Sequence, residues 1–407
     1  MGLPDKLKIL FLTPRFPYPL LGGDRLKSYN LLAHLASKHE VHLVSFYQGS
    51  SKMPPQKDID HLKELGLKLH IIQLNPILSG LRILFTTILK YPLEIGYYYH
   101  HDFKKVVDDL IDNEHFDLGF AFFMRTAEYI KDKPIKKILM SEDCRRLYQK
   151  RSYEKSKNVM QRIVRWWEYR MLKRYEHDIV NHFDTTTLVT NEDIQAMMEL
   201  NSRASYTLLS NGVNIDYFRP STNKRDTKEL LFTGKLDLWA NHLMINTIIK
   251  DILPKIRKRF PGTKLILAGA KPSKSILALQ NDYIEVHANV PTLVPYLQKA
   301  AVFIHPHQGG SGIQNKLLEA MSCGAPVVTS PTGIQGIEAT HGKDIMVGNT
   351  PEEMVEHIIK IMTDQNFAAN LGKNARQLII DTHSWQSIFD ETDSLIIHIL
   401  SEKNDKT

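Results

Sequence analysis

Short apolar runs alternate with amphipathic helical stretches along the first half of the chain. Lys8–Leu12 is followed by a helical pattern from Leu26 to His39 and then by a second apolar run, Val41–Phe46. Apolar runs of this length, separated by helices, predict a parallel sheet covered by helices on both faces. The same pattern predicts further strands at Leu69–Gln73, Leu118–Phe123, Thr185–Val189 and Tyr206–Leu209, with a helix at Phe103–Asn113.

The alternation restarts after residue 210 with the strand Leu230–Lys235. Later strands are predicted at Lys264–Ala268, Ile284–His287, Val302–His305, Val327–Val328 and Ile345–Val347, and helices at Leu243–Phe260, Leu293–Lys299, Pro351–Asp364, Ala368–Asp381 and Trp385–Ser401. Two such series in 407 residues predict two Rossmann-like, doubly wound α/β domains. We place the first at 1–210, completed by a crossing helix at 385–407, and the second at 211–384. Ligands of such sheets bind at the carboxyl ends of the strands, so the domains are expected to face each other across a ligand-binding cleft.

Composition is that of a globular protein, with 43% hydrophobic and 24% charged residues. The two cysteines, Cys144 and Cys323, lie far apart and have no metal-ligand spacing, which indicates a reducing compartment and buried, inert thiols. The polar amino terminus predicts no signal peptide. The most apolar segment, Ile77–Leu93, is interrupted by Gly80, Arg82, Lys90 and Pro92 and is too short to span a bilayer. We therefore expect a cytoplasmic protein.

The net charge of +7 is concentrated in one region. Residues 145–177 carry eleven Lys and Arg against three Glu, whereas the rest of the chain is close to neutral. Within this region apolar residues recur at helical spacing, namely Met160, Ile163, Val164, Trp167, Met171 and Tyr175. Two interpretations remain open: an ordinary amphipathic helix with a solvated basic face, or a surface that touches an anionic membrane or a lipid-linked substrate. No recognised motif supports nucleic acid as a partner.

A glycine-rich loop leads into a helix near the end of the second series. It follows the strand Val302–His305 and runs from Gly309 through Gly310, Ser311 and Gly312 to the helix that contains Glu319. Glycines let the backbone approach a ligand closely, and a helix amino terminus offers free N–H groups to an anion. Glu319, two turns into the helix, is suited to accept hydrogen bonds from sugar hydroxyls. These features favour a nucleotide-sugar as ligand.

Several blocks of sequence, in order, carry a resemblance to a known family. They are Pro17-Tyr18-Pro19 with Gly22-Gly23-Asp24-Arg25, His39–Leu43, Asn211–Phe218, Phe232-Thr233-Gly234-Lys235, Glu319–Val328 and His383-Ser384-Trp385. With them the chain resembles the retaining GT-B glycosyltransferases of family 4 over nearly its whole length. Its "GIQNK-LEAM" run is most similar to that of sugar transferases linked to exosortase-associated, surface-polysaccharide gene clusters.

The resemblance implies a role for each matching residue. Lys235 would contact the donor diphosphate, Glu319 the ribose hydroxyls, and the backbone from Gly310 to Ile313 the sugar and phosphates. Gly22 and Gly23 would let the amino-terminal loop approach the donor. A nucleoside-diphosphate leaving group needs cations and N–H donors to spread its negative charge. Lys235, Lys316 and His307 are the available side chains. No Asp-x-Asp pair is placed to hold a metal, so we predict no metal site and no cofactor.

The sequence departs from the family pattern at three positions. Ser311 stands where the family often has a second Glu, and Ala240, beside Asn241, stands where a second basic residue is expected. The segment Phe122–Arg125 replaces a frequent histidine. Lys316 would restore one lost charge. Catalytic residues are therefore not assigned.

Acceptor-side residues are less determined. Asp24 caps the following helix or lies near the acceptor, and Arg125 faces an acceptor phosphate or forms a structural ion pair. His307 is equally compatible with donor binding and with packing.

The function expected from these features is transfer of a glycosyl unit from a nucleoside-diphosphate-sugar to a surface-glycan or lipid-linked acceptor. The resemblance alone implies retention of configuration. We expect the enzyme to work at the inner face of a bacterial cytoplasmic membrane, because Ile77–Leu93 and the basic helix both lie in the amino-terminal half, which binds the acceptor in such folds. Two alternatives stay open: a nucleotide-sugar epimerase of the same fold, which would need acid/base groups that are scarce in the predicted loops, and a nucleotide-sugar-binding protein without turnover.

Overall fold

The computed structural model of the chain describes residues 6–20, 23–49, 51–83, 90–156, 158–309 and 312–401. Within helices, the side chains of Asp24, Arg82 and Lys155 also lie outside the description. The chain divides into two compact units: residues 1–209 with 389–407, and residues 210–388. Each unit is built around its own parallel sheet.

The described strands of the first unit form a seven-stranded sheet in the order β3-β2-β1-β4-β5-β6-β7, and every pairing is parallel. The strands are β1 Lys8–Thr13, β2 Glu40–Tyr47, β3 Lys68–Gln73, β4 Leu118–Phe122, β5 Lys136–Glu142, β6 Thr185–Leu188 and β7 Tyr206–Leu208. The central strands β1 and β4 are buried almost throughout, as parallel strands covered on both faces must be.

Helices connect these strands. They are α1 Gly23–Lys38, α2 Gln56–Glu64, α3 Pro76–Arg82, α4 Leu93–Tyr98, α5 His101–Asn113, α6 Arg145–Lys155, α7 Val159–Ile179 and α8 Asn191–Leu200. No described helix is both long enough and apolar enough to cross a bilayer.

The second unit contains a six-stranded parallel sheet in the order β10-β9-β8-β11-β12-β13. Its strands are β8 Asp226–Lys235, β9 Lys264–Ala270, β10 Ile284–Ala288, β11 Ala300–His305, β12 Val327–Thr329 and β13 Met346–Val347. Its helices are α9 Trp239–Thr247, α10 Leu253–Arg259, α11 Lys274–Leu277, α12 Val294–Lys299, α13 Asn315–Ser322, α14 Pro351–Thr363, α15 Gln365–His383 and the start of α16 Trp385–Ser401. Helix α16 continues into the first unit from residue 389. The prediction of two doubly wound parallel-sheet domains is thus confirmed.

Strand β5 is the strand, among those described, that the sequence did not predict. Only Ile138, Leu139 and Met140 are strongly apolar within it, and lysines precede them. The structure nevertheless places β5 inside the sheet, paired with β4 on one side and β6 on the other. Tertiary pairing here outweighs a weak local pattern.

Helix α7 presents a different face to the core than its apolar pattern predicts. Met160 and Ile163 are 70% and 56% exposed, whereas Glu168 and Glu176 are buried. The Glu168 carboxylate accepts the N–H of Leu93 at 2.8 Å, at the start of α4, where Pro92 provides no side-chain cap. Glu176 accepts the N–H of Arg146 at 3.0 Å, at the start of α6. Both carboxylates thus cap neighbouring helices, which explains why they are buried.

Both cysteines are buried and unpaired, as the sequence predicts. Burial raises the pKa of the Cys323 thiol to about 12 and raises that of Cys144 as well. Neither thiol is therefore ionised near neutral pH.

Candidate functional site

The carboxyl ends of β8 and β11 and the start of α13 define the candidate site of the second unit. β8 ends at Lys235, β11 ends at His305, and α13 begins at Asn315. In an open parallel sheet this is the edge at which ligands bind. Lys235 is exposed, and among the described residues it has no ion-pair partner, so its ammonium group is available to an anion.

Lys316 lies over the end of β8 and is held there by Asn241. The Lys316 ammonium donates to Asn241 Oδ1 at 2.9 Å, and Asn241 Nδ2 donates to the carbonyl oxygen of Lys235 at 2.6 Å. A Cβ on Gly234 would stand 2.9 Å from Lys316 Nζ, and the φ of Gly234, 146°, lies in the range that favours glycine. The two lysines are therefore joined through one amide at the predicted diphosphate position.

Asn241 is a site residue that the sequence argument did not single out. It is 5% exposed and lies next to Ala240, the position where the family's second basic residue is missing. Its two contacts bring the Lys316 ammonium to the end of β8. The missing basic residue at Ala240 drew attention to this segment of the sequence. The contacts of Asn241 with Lys316 and with the Lys235 carbonyl became visible only in the structure.

Glu319 and Lys316 form a partly buried pair of opposite charge on α13. Burial raises the pKa of Glu319 to about 7, although the nearby Lys316 cation opposes this rise. Burial likewise lowers the pKa of Lys316 to about 8, against the effect of Glu319. Within the described part of the chain, the Glu319 carboxylate accepts no hydrogen bond. It is therefore available to the hydroxyl groups of a ligand.

One histidine, His305, ends β11, and a second, His307, follows two residues later. The rings of His305 and His307 are stacked with centroids 5.3 Å apart, and both side chains are buried. Burial, with Lys316 and His307 nearby, lowers the pKa of His305 well below its usual value, so this ring is neutral. Its Nδ1 lies 3.3 Å from Thr329 Oγ1, whereas its buried Nε2 has no partner in the described structure. His305, which the sequence argument passed over in favour of His307, thus offers an unsatisfied polar atom.

The amino terminus of α13 has no side-chain cap. Its N-cap residue is Gln314, whose side chain makes no capping bond. Gly312, just before it, has a φ of 74°, which favours glycine, and Ile313 is partly buried. Asn315 accepts a hydrogen bond from Asn211 at 2.8 Å, which ties the helix start to the segment that opens the unit. Such an uncapped start leaves N–H donors for an anionic ligand.

Several predicted site residues fall outside the described residues. These are Gly22, Gly310 and Ser311, together with the side chain of Asp24. Gly23 is described and is the first residue of α1.

Arg125 forms the structural ion pair that the sequence left open. Its guanidinium lies 3.3 Å from Glu94 Oε2, and Arg145 Nε lies 3.1 Å from Glu94 Oε1. Burial opposes ionisation of Glu94, but the two arginines hold its pKa below the usual value. Arg125 also stands over the rings of Tyr98 and Phe123. Arg145 Nη1 also lies 3.4 Å from Asp143 Oδ2, so two carboxylates balance the two guanidinium groups.

Ligand-type side chains converge at Glu40, His42 and Glu114, whose ligand atoms lie within 4.8 Å of one another. Lys68 lies 2.8 Å from Glu40, and Lys8 pairs with both glutamates. Hydrogen bonds from Lys68 and His42 lower the pKa of Glu40 to about 2. Two lysines thus already neutralise the two carboxylates, and the group is an ion-pair cluster at the amino-terminal edge of the first sheet.

Comparison with known proteins places a family domain on the second unit. Residues 227–364 match the family described as "Glycosyl transferases group 1". A protein of Klebsiella pneumoniae, described as an uncharacterized 44.6 kDa protein in the cps region, is 21% identical over 396 residues, covering 94% of this chain and 98% of its own. The Staphylococcus aureus capsular polysaccharide biosynthesis glycosyltransferase CapM is 23% identical over 215 residues, covering 48% of this chain and 55% of its own.

The fold is also found among solved structures. Anabaena HepE, crystallised with UDP and glucose, superposes with a TM-score of 0.65 at 15% identity, covering 96% of this chain and 99% of that one. The chain thus has the GT-B fold, with two Rossmann-like parallel-sheet domains.

Proposed function

We propose that this chain, which carries a glycosyltransferase group 1 domain at residues 227–364, transfers a glycosyl unit from a nucleoside-diphosphate-sugar to a surface-glycan or lipid-linked acceptor. The observation that carries the proposal is the pair of lysines at the end of β8, linked through Asn241 and adjacent to the uncapped start of α13. Cations and helix N–H groups together suit a diphosphate. The relatives named as glycosyltransferases support this function, and retention of configuration follows the resemblance to family 4.

The proposed chemistry needs only groups of the chain. When the bond between the anomeric carbon and the diphosphate breaks, negative charge develops on the leaving oxygen. In this proposal Lys235 and Lys316 stabilise that charge, and Glu319 accepts hydrogen bonds from the ribose. His305 Nε2, buried and without a partner, would accept a hydrogen bond from a donor hydroxyl. The ligand thus satisfies groups that the protein leaves unsatisfied.

The donor site is tested with a thermal-shift panel of nucleoside diphosphates and their sugars. One nucleotide is expected to stabilise the wild type by about 2.7 kcal/mol at a hundredfold excess over its dissociation constant. Glu319→Ala is expected to lose most of this shift, and Glu319→Gln part of it. The matched control is Glu356→Ala, an exposed glutamate on α14, which should shift as the wild type does.

Turnover separates a transferase from a protein that only binds. Slow release of free sugar from the stabilising donor, lost in Glu319→Ala, is expected of a transferase without acceptor. Binding without any donor consumption would favour the non-catalytic alternative. No shift with any nucleotide would overturn the donor site itself.

We also propose that the amino-terminal turns of α7 contact an anionic membrane surface. Five apolar side chains are exposed there within eight residues, namely Val159, Met160, Ile163, Val164 and Trp166. Basic residues are interleaved with them. Exposed apolar groups next to arginines suit an interface where acyl chains and anionic headgroups meet. Helix α3 of the same unit also exposes apolar side chains, namely Ile77, Leu78 and Leu81.

Vesicle sedimentation tests this surface. The chain is expected to bind vesicles of phosphatidylcholine with phosphatidylglycerol better than phosphatidylcholine alone. The double variant Met160→Glu, Ile163→Glu should bind the anionic vesicles about tenfold less, because two apolar groups that enter the membrane interface become charged. The control Met198→Glu, Ile397→Glu changes two exposed apolar residues elsewhere in the first unit. Equal loss in both double variants would refute the assignment.

A further inference from the structure

A second cavity in the second unit lies away from the proposed donor site. It has a volume of about 780 Å³ and is bordered by Asp226, the first residue of β8, by Ala301 near the start of β11, and by Pro326 just before β12. These positions mark the amino-terminal edge of the sheet. Lys235 ends the same strand β8 nine positions later, which corresponds to about 30 Å at 3.3 Å per residue. The cavity is therefore separate from the donor site.

One face of α15 forms the wall of this cavity. Small residues at helical spacing, Ala368, Ala369 and Gly372, leave the space open. Gly372 cannot be replaced without movement, since a Cβ there would stand 2.2 Å from the carbonyl oxygen of Gly324. Ile361 of α14 and Ile380 of α15 add apolar surface to the lining. A ligand that binds here therefore contacts mostly apolar groups.

Two guanidinium groups border the cavity without a carboxylate partner among the described residues. Arg225 donates to the carbonyl oxygens of Leu297 at 2.6 Å and Cys323 at 2.7 Å. Arg376 donates to the carbonyl oxygen of Ser322 at 2.6 Å and to that of Phe218 at 3.2 Å. Carbonyl oxygens satisfy the N–H donors but do not neutralise the charge.

The charge around the cavity is strongly positive. Lys224 and Lys373 also line it, are exposed, and make no ion pair with a described residue. Asp226 is the acid in the lining. Its Oδ2 lies 4.0 Å from Nζ of Lys299, a residue that does not line the cavity. Four cations and one already paired acid therefore create a positive potential over an apolar pocket.

We propose that this cavity binds a small amphipathic anion: a phosphate, sulfonate or carboxylate group on an apolar body. Its volume is within the usual range for small-molecule sites, and its lining combines apolar walls with a few convergent polar groups. The anion would lie toward Lys224 and Lys373 at the rim, and the apolar body against the small residues of α15. This site does not depend on whether the unit binds a nucleotide-sugar.

The probe for this site is 1-anilinonaphthalene-8-sulfonate, which has an anionic group on aromatic rings and fluoresces when bound. The full chain is expected to bind it saturably, and 2-naphthyl phosphate should displace it, whereas uncharged 2-naphthol at the same concentration should not. Displacement by 2-naphthol alone would overturn the requirement for an anion. A matching loss in Glu319→Ala would place the probe at the donor site and overturn the second site.

Charge reversal at the rim gives the decisive comparison. Lys224→Glu with Lys373→Glu is expected to weaken probe binding about tenfold, because two attractions become repulsions. The matched control is Lys258→Glu with Lys274→Glu, two exposed lysines that do not line the cavity. Equal effects of the two double variants would overturn the proposal.

A steric variant adds an independent readout. Ala369→Trp places an indole in the wall of the cavity and should abolish saturable binding. Partial unfolding would instead raise the fluorescence of this dye, so loss of signal cannot come from a damaged fold. Undiminished binding to Ala369→Trp would exclude this cavity as the site.

Discussion

Replacement of Lys316 by methionine is expected to stabilise the second unit while weakening its binding of a nucleoside diphosphate. Burial lowers the pKa of Lys316 from 10.5 to about 8, so the folded state holds its charge at a cost of about 3 kcal/mol. Methionine removes that cost and packs over Phe232, where Lys316 Nζ now stands 4.9 Å from the ring centroid. Loss of the hydrogen bond to Asn241 offsets about 1 kcal/mol of this gain in stability. A net gain of about 2 kcal/mol is expected.

The pKa shifts of Lys316 and Glu319 predict how the stability of the wild type depends on pH. Between pH 8 and 10.5 the unfolded chain keeps the Lys316 proton that the folded chain has lost, so wild-type stability should rise with pH across this window. Glu319 acts in the opposite direction at lower pH. The folded state holds its proton up to about pH 7 and the unfolded state only to 4.5, so stability should fall as pH rises between them.

Calorimetry across pH and nucleotide titration measure both effects. Lys316→Met should abolish the rise above pH 8 and weaken nucleotide affinity at least tenfold, as expected for a lost charge-assisted bond. Lys258→Met, on the exposed side of α10, should change neither quantity. A variant that is less stable yet binds nucleotide normally would contradict the role given to Lys316.

Gly269→Ala is expected to destabilise the second unit by about 3 kcal/mol or more. Gly234 and Gly269 are register partners on β8 and β9, and a Cβ on Gly269 would stand 1.8 Å from the carbonyl oxygen of Gly234. Backbone cannot yield as a flexible side chain can, so the two strands must separate. Because Gly234 lies beneath Lys316, nucleotide binding should weaken as well.

The control for this variant is Gly342→Ala. Gly342 has a φ of 78° but nothing within 4 Å of the added methyl, so only the backbone cost of about 1 kcal/mol applies. Chemical denaturation of both variants measures the difference. If Gly269→Ala costs no more than Gly342→Ala, the close approach of the two strand ends is not as described.

The fold was predictable because most strands here are buried on both faces and read as continuous apolar runs. Strand β5 escaped because its three apolar residues stand among lysines and an acid, and only its neighbours β4 and β6 make it a strand. Helix α7 was predicted as a helix with an apolar face, but the acids on its buried side were not predicted. The acids Glu168 and Glu176 occupy that side because they cap other helices, a role that spacing does not reveal.

The candidate site was predictable in its cations and glycines and less so in its uncharged polar groups. Lys316 and Glu319 are noticeable in sequence because their helix follows a glycine-rich loop. Asn241 and His305 matter through what they touch, or through the atom they leave without a partner. Such roles depend on contacts between distant residues. A pattern along one chain does not contain them.

The two buried acids of α7 also fix where its exposed turns can be. A slip of α7 by one turn, about 5.4 Å, would withdraw Glu168 from the start of α4 and Glu176 from the start of α6 at the same time. Both helices would then have uncapped amino termini next to a buried carboxylate. The helix is thus pinned at two points along its length. The apolar side chains at its amino-terminal end are therefore presented in one fixed register, as a rigid part of the first unit.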